Sequence, residues 1–127
     1  QPWLFDELTK QVQARVDFPV RFVKTQEENL SKEEYYSLLG KSKVIASYAL
    51  QENFGFGVAE AVYLGCQPVL PNRLVYPELY PNFELFDNFD QSVEMVVEAL
   101  TKHRLFLAQF KEQEEIFDVW FPRQDDL

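Results

Sequence analysis

With 127 residues, 46% hydrophobic and 26% charged, the chain has the size and make-up of one globular domain, which excludes a disordered or low-complexity polymer. No apolar run approaches the ~20 residues that a membrane-spanning helix needs. A formal charge of −9 argues against a grip on a phosphate backbone, because that affinity rests largely on Lys and Arg, and solubility alone accounts for the acidity.

A single cysteine, Cys66, rules out an internal disulfide framework and fits a reducing, cytoplasmic setting. The chain opens without an initiator Met and without a basic stretch before an apolar block. The expectation is therefore a piece of a longer protein, with no signal peptide in view.

The spacing of Leu4, Phe5, Leu8, Val12 and Val16 predicts a helix over residues 3–16, with Pro2 tolerated in its first turn. Residues 19–23 read as a short buried strand. Ser31-Lys-Glu-Glu34 has the form of a capping box, and Gly40 follows Tyr35, Leu38 and Leu39 as a stop. A second strand is expected over 43–47, a short helix over 57–64 ended by Gly65, and a third strand over 68–70. Three prolines between Pro71 and Pro81 predict a loop with a turn of helix at 77–79. A short fourth strand is expected over 84–86. A long helix then runs from about residue 91 to 117, with Val93, Val96, Val97, Leu100 and Leu107 on one face. Trp120-Phe-Pro122 closes it.

Helices and near-continuous apolar strands alternate, the pattern of an α/β domain: a three-layer, Rossmann-like arrangement with a parallel sheet covered on both faces. Ligands of such sheets bind beyond the carboxyl ends of the strands, and the loop leaving the second strand is one of those ends. It carries Glu52-Asn-Phe-Gly-Phe-Gly-Val-Ala-Glu60. A helix start offers unpaired backbone N–H groups and a partial positive charge. Gly55 and Gly57 permit close approach, because neither has a Cβ. A carboxylate accepts two hydrogen bonds side by side and so matches a vicinal diol. Glu60, about one turn into the helix, suits a ribose, and Glu52 suits the hydroxyls of a second ring. Against this stand a first-turn Glu favoured by the helix dipole and an exposed loop acid. The run Gly55-x-Gly57-x-x also imitates a dinucleotide fingerprint, but Glu60 stands where the third glycine belongs.

Glu52-x-Phe54-Gly55 followed by Glu60-Ala61 resembles the carboxyl-terminal, donor-binding half of retaining glycosyltransferases with the two-domain GT-B fold. Further stretches, Ala49-Leu-Gln-Glu52, Glu60-Ala-Val-Tyr63, Gly65-Cys66, Arg73 and Leu74-Val-Tyr-Pro-Glu78, are similar to the tRNA-queuosine mannosyltransferase group, whose donor is GDP-mannose. The resemblance is strongest over residues 31–80. It departs from the pattern at 25–31, an interval too short for a helix–strand pair usual in this half.

The resemblance implies that Glu52 is the catalytic-site carboxylate facing the transferred hexose. It implies that Phe54, Gly55, Phe56 and Gly57 form the backbone beside the hexose, and that Glu60 binds the ribose of the nucleotide. The substrate is then a nucleotide-sugar, GDP-mannose or a UDP-hexose, with no separate cofactor and no metal. Residues 1–127 would be the donor-binding domain, and the amino-terminal acceptor domain would lie elsewhere in the same protein. An Arg and a Lys that neutralise the diphosphate in the family would precede the first helix, so this piece alone is expected to be inactive. Its sheet would lack a first strand, and an open edge of that kind invites self-association. A nucleic-acid acceptor would be held by other parts than this acidic one. The alternatives are half of an epimerase or phosphorylase of the same architecture, and a non-catalytic Rossmann-like interaction module. His103, alone of its kind and mid-helix, is read as a surface or partly buried residue. Cys66 is read as a small apolar packing group. For Tyr76 and Tyr80, lining of a cleft and packing under the proline loop account equally well.

Overall fold

The computed structural model describes residues 2–24, 31, 33, 44–47, 62–63, 65–73, 76–110 and 116–121. The elements are α1 (Pro2–Arg15), β1 (Val20–Lys24), β2 (Val44–Ala46), β3 (Gln67–Val69), α2 (Tyr76–Leu79), α3 (Phe89–Gln109) and β4 (Phe117–Phe121). The four strands form one sheet in the order β1-β4-β2-β3, and every pairing is parallel. This is the α/β, Rossmann-like class expected from the alternation of helix and strand.

Alternation along each strand divides the apolar residues between the two faces. Val44 and Ala46 of β2, Val69 of β3, and Phe117 and Val119 of β4 share one core cluster with Leu8 and Val12 of α1. Val93, Val96, Leu100 and Leu107 of α3 complete it. These α1 and α3 residues sit three, four or seven apart, so one stripe of each helix meets the sheet. Ile45, Val23 and Leu70 belong to a second cluster with Cys66 and Tyr76, against which Val62, Tyr80 and Leu85 pack. Arg21 and Asp118 lie opposite each other in the register of β1 and β4, on the face away from Phe117 and Val119.

α3 begins where a polar side chain caps it. Asn88 has extended backbone and its side chain accepts from the Gln91 N–H at 2.9 Å, while the Asp87 N–H donates to Gln91 Oε1 at 2.6 Å. Two N–H groups at the helix start are thereby satisfied, as in a capping box.

The carboxyl-terminal part differs from the sequence expectation. The helix predicted to reach residue 117 ends at Gln109, because its buried stripe stops at Leu107 while Leu105, Phe106 and Phe110 are exposed. Lys111-Glu-Gln-Glu-Glu115 offers no apolar group to continue that stripe. Phe117-Asp-Val-Trp-Phe121 is aromatic and β-branched with period two, which favours a strand. It forms β4, between β1 and β2. β1 has its parallel neighbour in β4.

The strand expected over 84–86 is reduced to a single parallel bridge between Pro71 and Phe86. The Phe86 N–H donates to the Leu70 carbonyl at 2.9 Å and its own carbonyl accepts from Asn72 N–H at 2.8 Å. Pro71 has no N–H to extend the ladder, and Asn88 turns the chain into α3 two residues later. Gly65 ends the preceding helical stretch as expected: its φ is +97°, a left-handed conformation that glycine adopts without a Cβ penalty, and its N–H donates to Val62 at 3.0 Å. The predicted turn of helix in the proline loop is α2. Of the capping-box segment, Ser31 is non-helical and Glu33 helical; Gly40 lies outside the described residues.

Candidate functional site

Parallel strands direct all their carboxyl ends to one edge of the sheet, and here that edge gathers Ser47, Leu70 and Pro71. Ser47 is the first residue beyond β2 and is 1% exposed. Its N–H continues the ladder by donating to the Val69 carbonyl at 3.1 Å, which fixes the direction in which the chain leaves the strand. Its hydroxyl meets that of Tyr76, Oγ to Oη 3.5 Å, inside the protein.

Tyr76 is brought there by the turn after β3. The Arg73 N–H donates to Pro71 O at 2.9 Å, the Tyr76 N–H to Arg73 O at 3.3 Å, and the Tyr80 N–H to Tyr76 O at 2.9 Å. The turn is tied laterally by Asn72, whose amide Nδ2 donates to Asp87 Oδ1 at 3.0 Å. Tyr76 is buried, with Tyr80 beside it at a ring separation of 6.4 Å and Phe83 a further 6.1 Å from Tyr80. Burial pushes the Tyr80 hydroxyl above its ordinary pKa of 10.0, and the neighbouring Tyr76 adds to the effect by opposing a second negative charge. Tyr80 packs against the cluster that contains Tyr76. Arg73 is exposed on the same turn.

The predicted site residues Glu52, Phe54, Gly55, Phe56, Gly57 and Glu60 lie outside the described residues. Their two flanks are described, and both are seated on the second core cluster. Upstream, Ser47 leaves β2 against Tyr76. Downstream, Val62 is helical and packs against the cluster that contains Tyr76. The Ser47–Tyr76 pair escaped the sequence reading; the only local signal was a serine closing an otherwise apolar strand.

Other candidates fall away from this edge. His103 is half-buried on α3 and stands edge-on to the Phe117 ring at 5.6 Å. Phe117 begins β4, so His103 belongs to the amino end of the sheet. Cys66 is buried just before β3, also at the amino end, and packs as the small apolar group expected. A groove of about 510 Å³ at that end runs between Arg15–Phe18 and the α3 residues Thr101, Arg104, Leu105 and Ala108. Arg104 there pairs with Asp17 and covers the Phe18 ring at 4.9 Å. Among the described residues no group of three His, Cys, Asp or Glu side chains could hold a metal ion, and no helix is long and apolar enough to cross a membrane.

The fold is that of a Rossmann-like α/β domain with a parallel sheet. The chain is 35% identical over 81 residues to the tRNA-queuosine alpha-mannosyltransferase of Drosophila melanogaster, a match that covers 64% of the chain and 22% of that protein. The chain thus matches about a fifth of the length of this relative, and the likeness supports a glycosyltransferase-like relationship. No family model matches the chain, and no solved structure matches it significantly.

Proposed function

We propose that the chain is the nucleotide-sugar donor-binding part of a retaining hexosyltransferase with the GT-B architecture. In this reading the donor is GDP-mannose or a UDP-hexose. The observations that support it are the exit of the chain at Ser47 from the carboxyl edge of a parallel sheet, beside Tyr76, and the similarity to a mannosyltransferase. Glu60 then accepts from the ribose hydroxyls, and Glu52 faces the hexose from the preceding loop. The backbone of Phe54, Gly55, Phe56 and Gly57 donates to the hexose and its phosphate. Transfer proceeds with retention, the departing diphosphate helping to take the acceptor proton. Electrostatic stabilisation of that diphosphate is a large catalytic contribution, and it is assigned to cationic groups elsewhere in the longer protein. The relative's name points to a tRNA acceptor, which this part, with its net charge of −9, would leave to more basic regions.

Titration of the chain with GDP, UDP and ADP, followed by backbone amide shifts, tests the reading. The expected result is saturable change centred on residues 52–60, with one base preferred. Silence of those amides at millimolar nucleotide would leave a non-catalytic interaction module as the better description.

A further inference from the structure

The turn that follows β3 is firmly anchored. Pro71 bridges to Phe86, the Asn72 N–H donates to the Phe86 carbonyl at 2.8 Å, and the Asn72 amide donates to Asp87 Oδ1 at 3.0 Å. Arg73 comes next, and both of its own backbone groups are engaged. Its N–H donates to Pro71 O at 2.9 Å, and its carbonyl accepts from the Tyr76 N–H at 3.3 Å. Tyr76 then packs into the second core cluster. The Arg73 backbone is thus fixed beyond the carboxyl end of β3, the strand that pairs with β2. That end of a parallel sheet is where ligands bind.

The Arg73 side chain differs from the cations held in ion pairs. Arg21 is paired with Asp118, Arg104 with Asp17, and Lys102 with Glu98. Arg73 is exposed and forms no ion pair among the described residues, although Glu78, Glu84 and Asp87 follow closely in the chain. Asp87 is engaged by Asn72 instead. In a chain of net charge −9, a guanidinium without a carboxylate is left to receive an anion from solution. A guanidinium offers a phosphate two parallel N–H donors, and an anchored backbone reduces the freedom lost on binding.

We propose that Arg73 is a binding residue for the phosphate of a ligand at this edge. The ligand class rests on the donor-binding reading above, in which that phosphate belongs to a nucleoside diphosphate. Arg73 then adds a cation from this part of the protein to those assigned elsewhere. The anion contact itself rests on Arg73 and its turn alone.

Two measurements on the whole chain test the inference. Inorganic pyrophosphate, added at constant ionic strength, should shift the Arg73 side-chain Nε–Hε resonance saturably. The signal of Arg104, ion-paired at the opposite end of the sheet, should stay in place. With GDP, Arg73→Gln should weaken binding about three- to tenfold, the effect of one charge-assisted contact moderated by solvent. Arg73→Lys, which keeps the charge and loses the fork, should fall between. Thermal midpoints of both variants should stay close to wild type, because the side chain is exposed. An Arg73 signal unmoved by pyrophosphate, or moved equally with that of Arg104, overturns the proposal. So does an Arg73→Gln affinity for GDP equal to wild type, an outcome that leaves the donor reading standing. Should wild type bind no GDP, the donor reading falls, and the pyrophosphate titration alone decides whether Arg73 receives an anion.

Discussion

The two faces of the sheet bury similar strand residues but satisfy their polar groups by different means. On the face covered by α1 and α3 the buried polar side chain among the described residues is Ser92, and its hydroxyl donates to the Phe89 carbonyl one turn earlier at 2.6 Å. That solution is local to the helix. On the other face, Asp118 is buried beneath Arg21, with the guanidinium donating twice to the carboxylate at 3.0 and 2.8 Å. Ser47 meets Tyr76. Both of these solutions span distant parts of the chain. The first face is a packing surface, and the second is where the chain accepts polar constraints. A buried polar group is costly unless paired, so groups of this kind mark where geometry is being specified.

Three measurements sharpen or break that contrast. The largest effect should come from the packing face. Leu100 is fully buried in the α1–α3–sheet cluster, and Leu100→Ala should cost about 2–5 kcal/mol through lost burial and the cavity left behind. Urea unfolding reads this directly, and a loss under 1 kcal/mol would mean that α3 does not seal this face.

An intermediate effect belongs to the second face. Arg21→Ala strips the Asp118 carboxylate of a two-pronged partner while leaving it beneath the surface. The Arg21 side chain is 56% exposed, so solvent moderates the cost to about 1–3 kcal/mol. A double-mutant cycle with Asp118→Asn should show coupling between the two positions; simple additivity would reduce the pair to a bystander of strand pairing.

The smallest effect is a pH dependence. Folding raises the pKa of Tyr80 above the unfolded value of 10.0, through burial first and Tyr76 second. A group raised in this way contributes stability that is complete below the unfolded pKa and is lost as pH rises through the folded one. Stability should therefore show a Tyr80-dependent decline only above pH 10. Tyr80→Phe should flatten that decline in alkaline urea titrations, and a slope unaltered by the substitution would place Tyr80 in a wetter setting.

Much of the architecture was legible in the chain because it is written in short periods. The three- and four-residue spacing of Leu8, Val12, Val93, Val96 and Leu100 announced two amphipathic helices, and the apolar runs around Val44 and Val69 announced parallel strands. Gly65 announced its own turn. The end of the long helix was misplaced, because Phe106 and Phe110 are apolar at helical spacing yet exposed, and the buried stripe stops at Leu107. For the candidate site, Glu52, the Phe-Gly pair and Glu60 are a reading of the sequence that lies outside the described residues, and the structure adds the contact of Ser47 with Tyr76 and the packing of Val62. Tyr76 was ambiguous in sequence because packing and polar contact favour the same aromatic residue.

By itself, the sequence determined the class of fold and the composition of its two covering helices, since burial stripes depend on neighbours three or four positions apart. Only the tertiary structure decided that the last strand enters the middle of the sheet. The alternation Phe117-x-Val119-x-Phe121 specifies a strand but gives no address, and the address comes from pairing with β1, almost a hundred residues earlier along the chain, as the Arg21–Asp118 separation of 97 shows. The same holds for Ser47 and Tyr76, which lie 29 residues apart. Periodicity is a property of neighbours along the chain, whereas the meeting of distant hydroxyls and charges is a property of the packed whole.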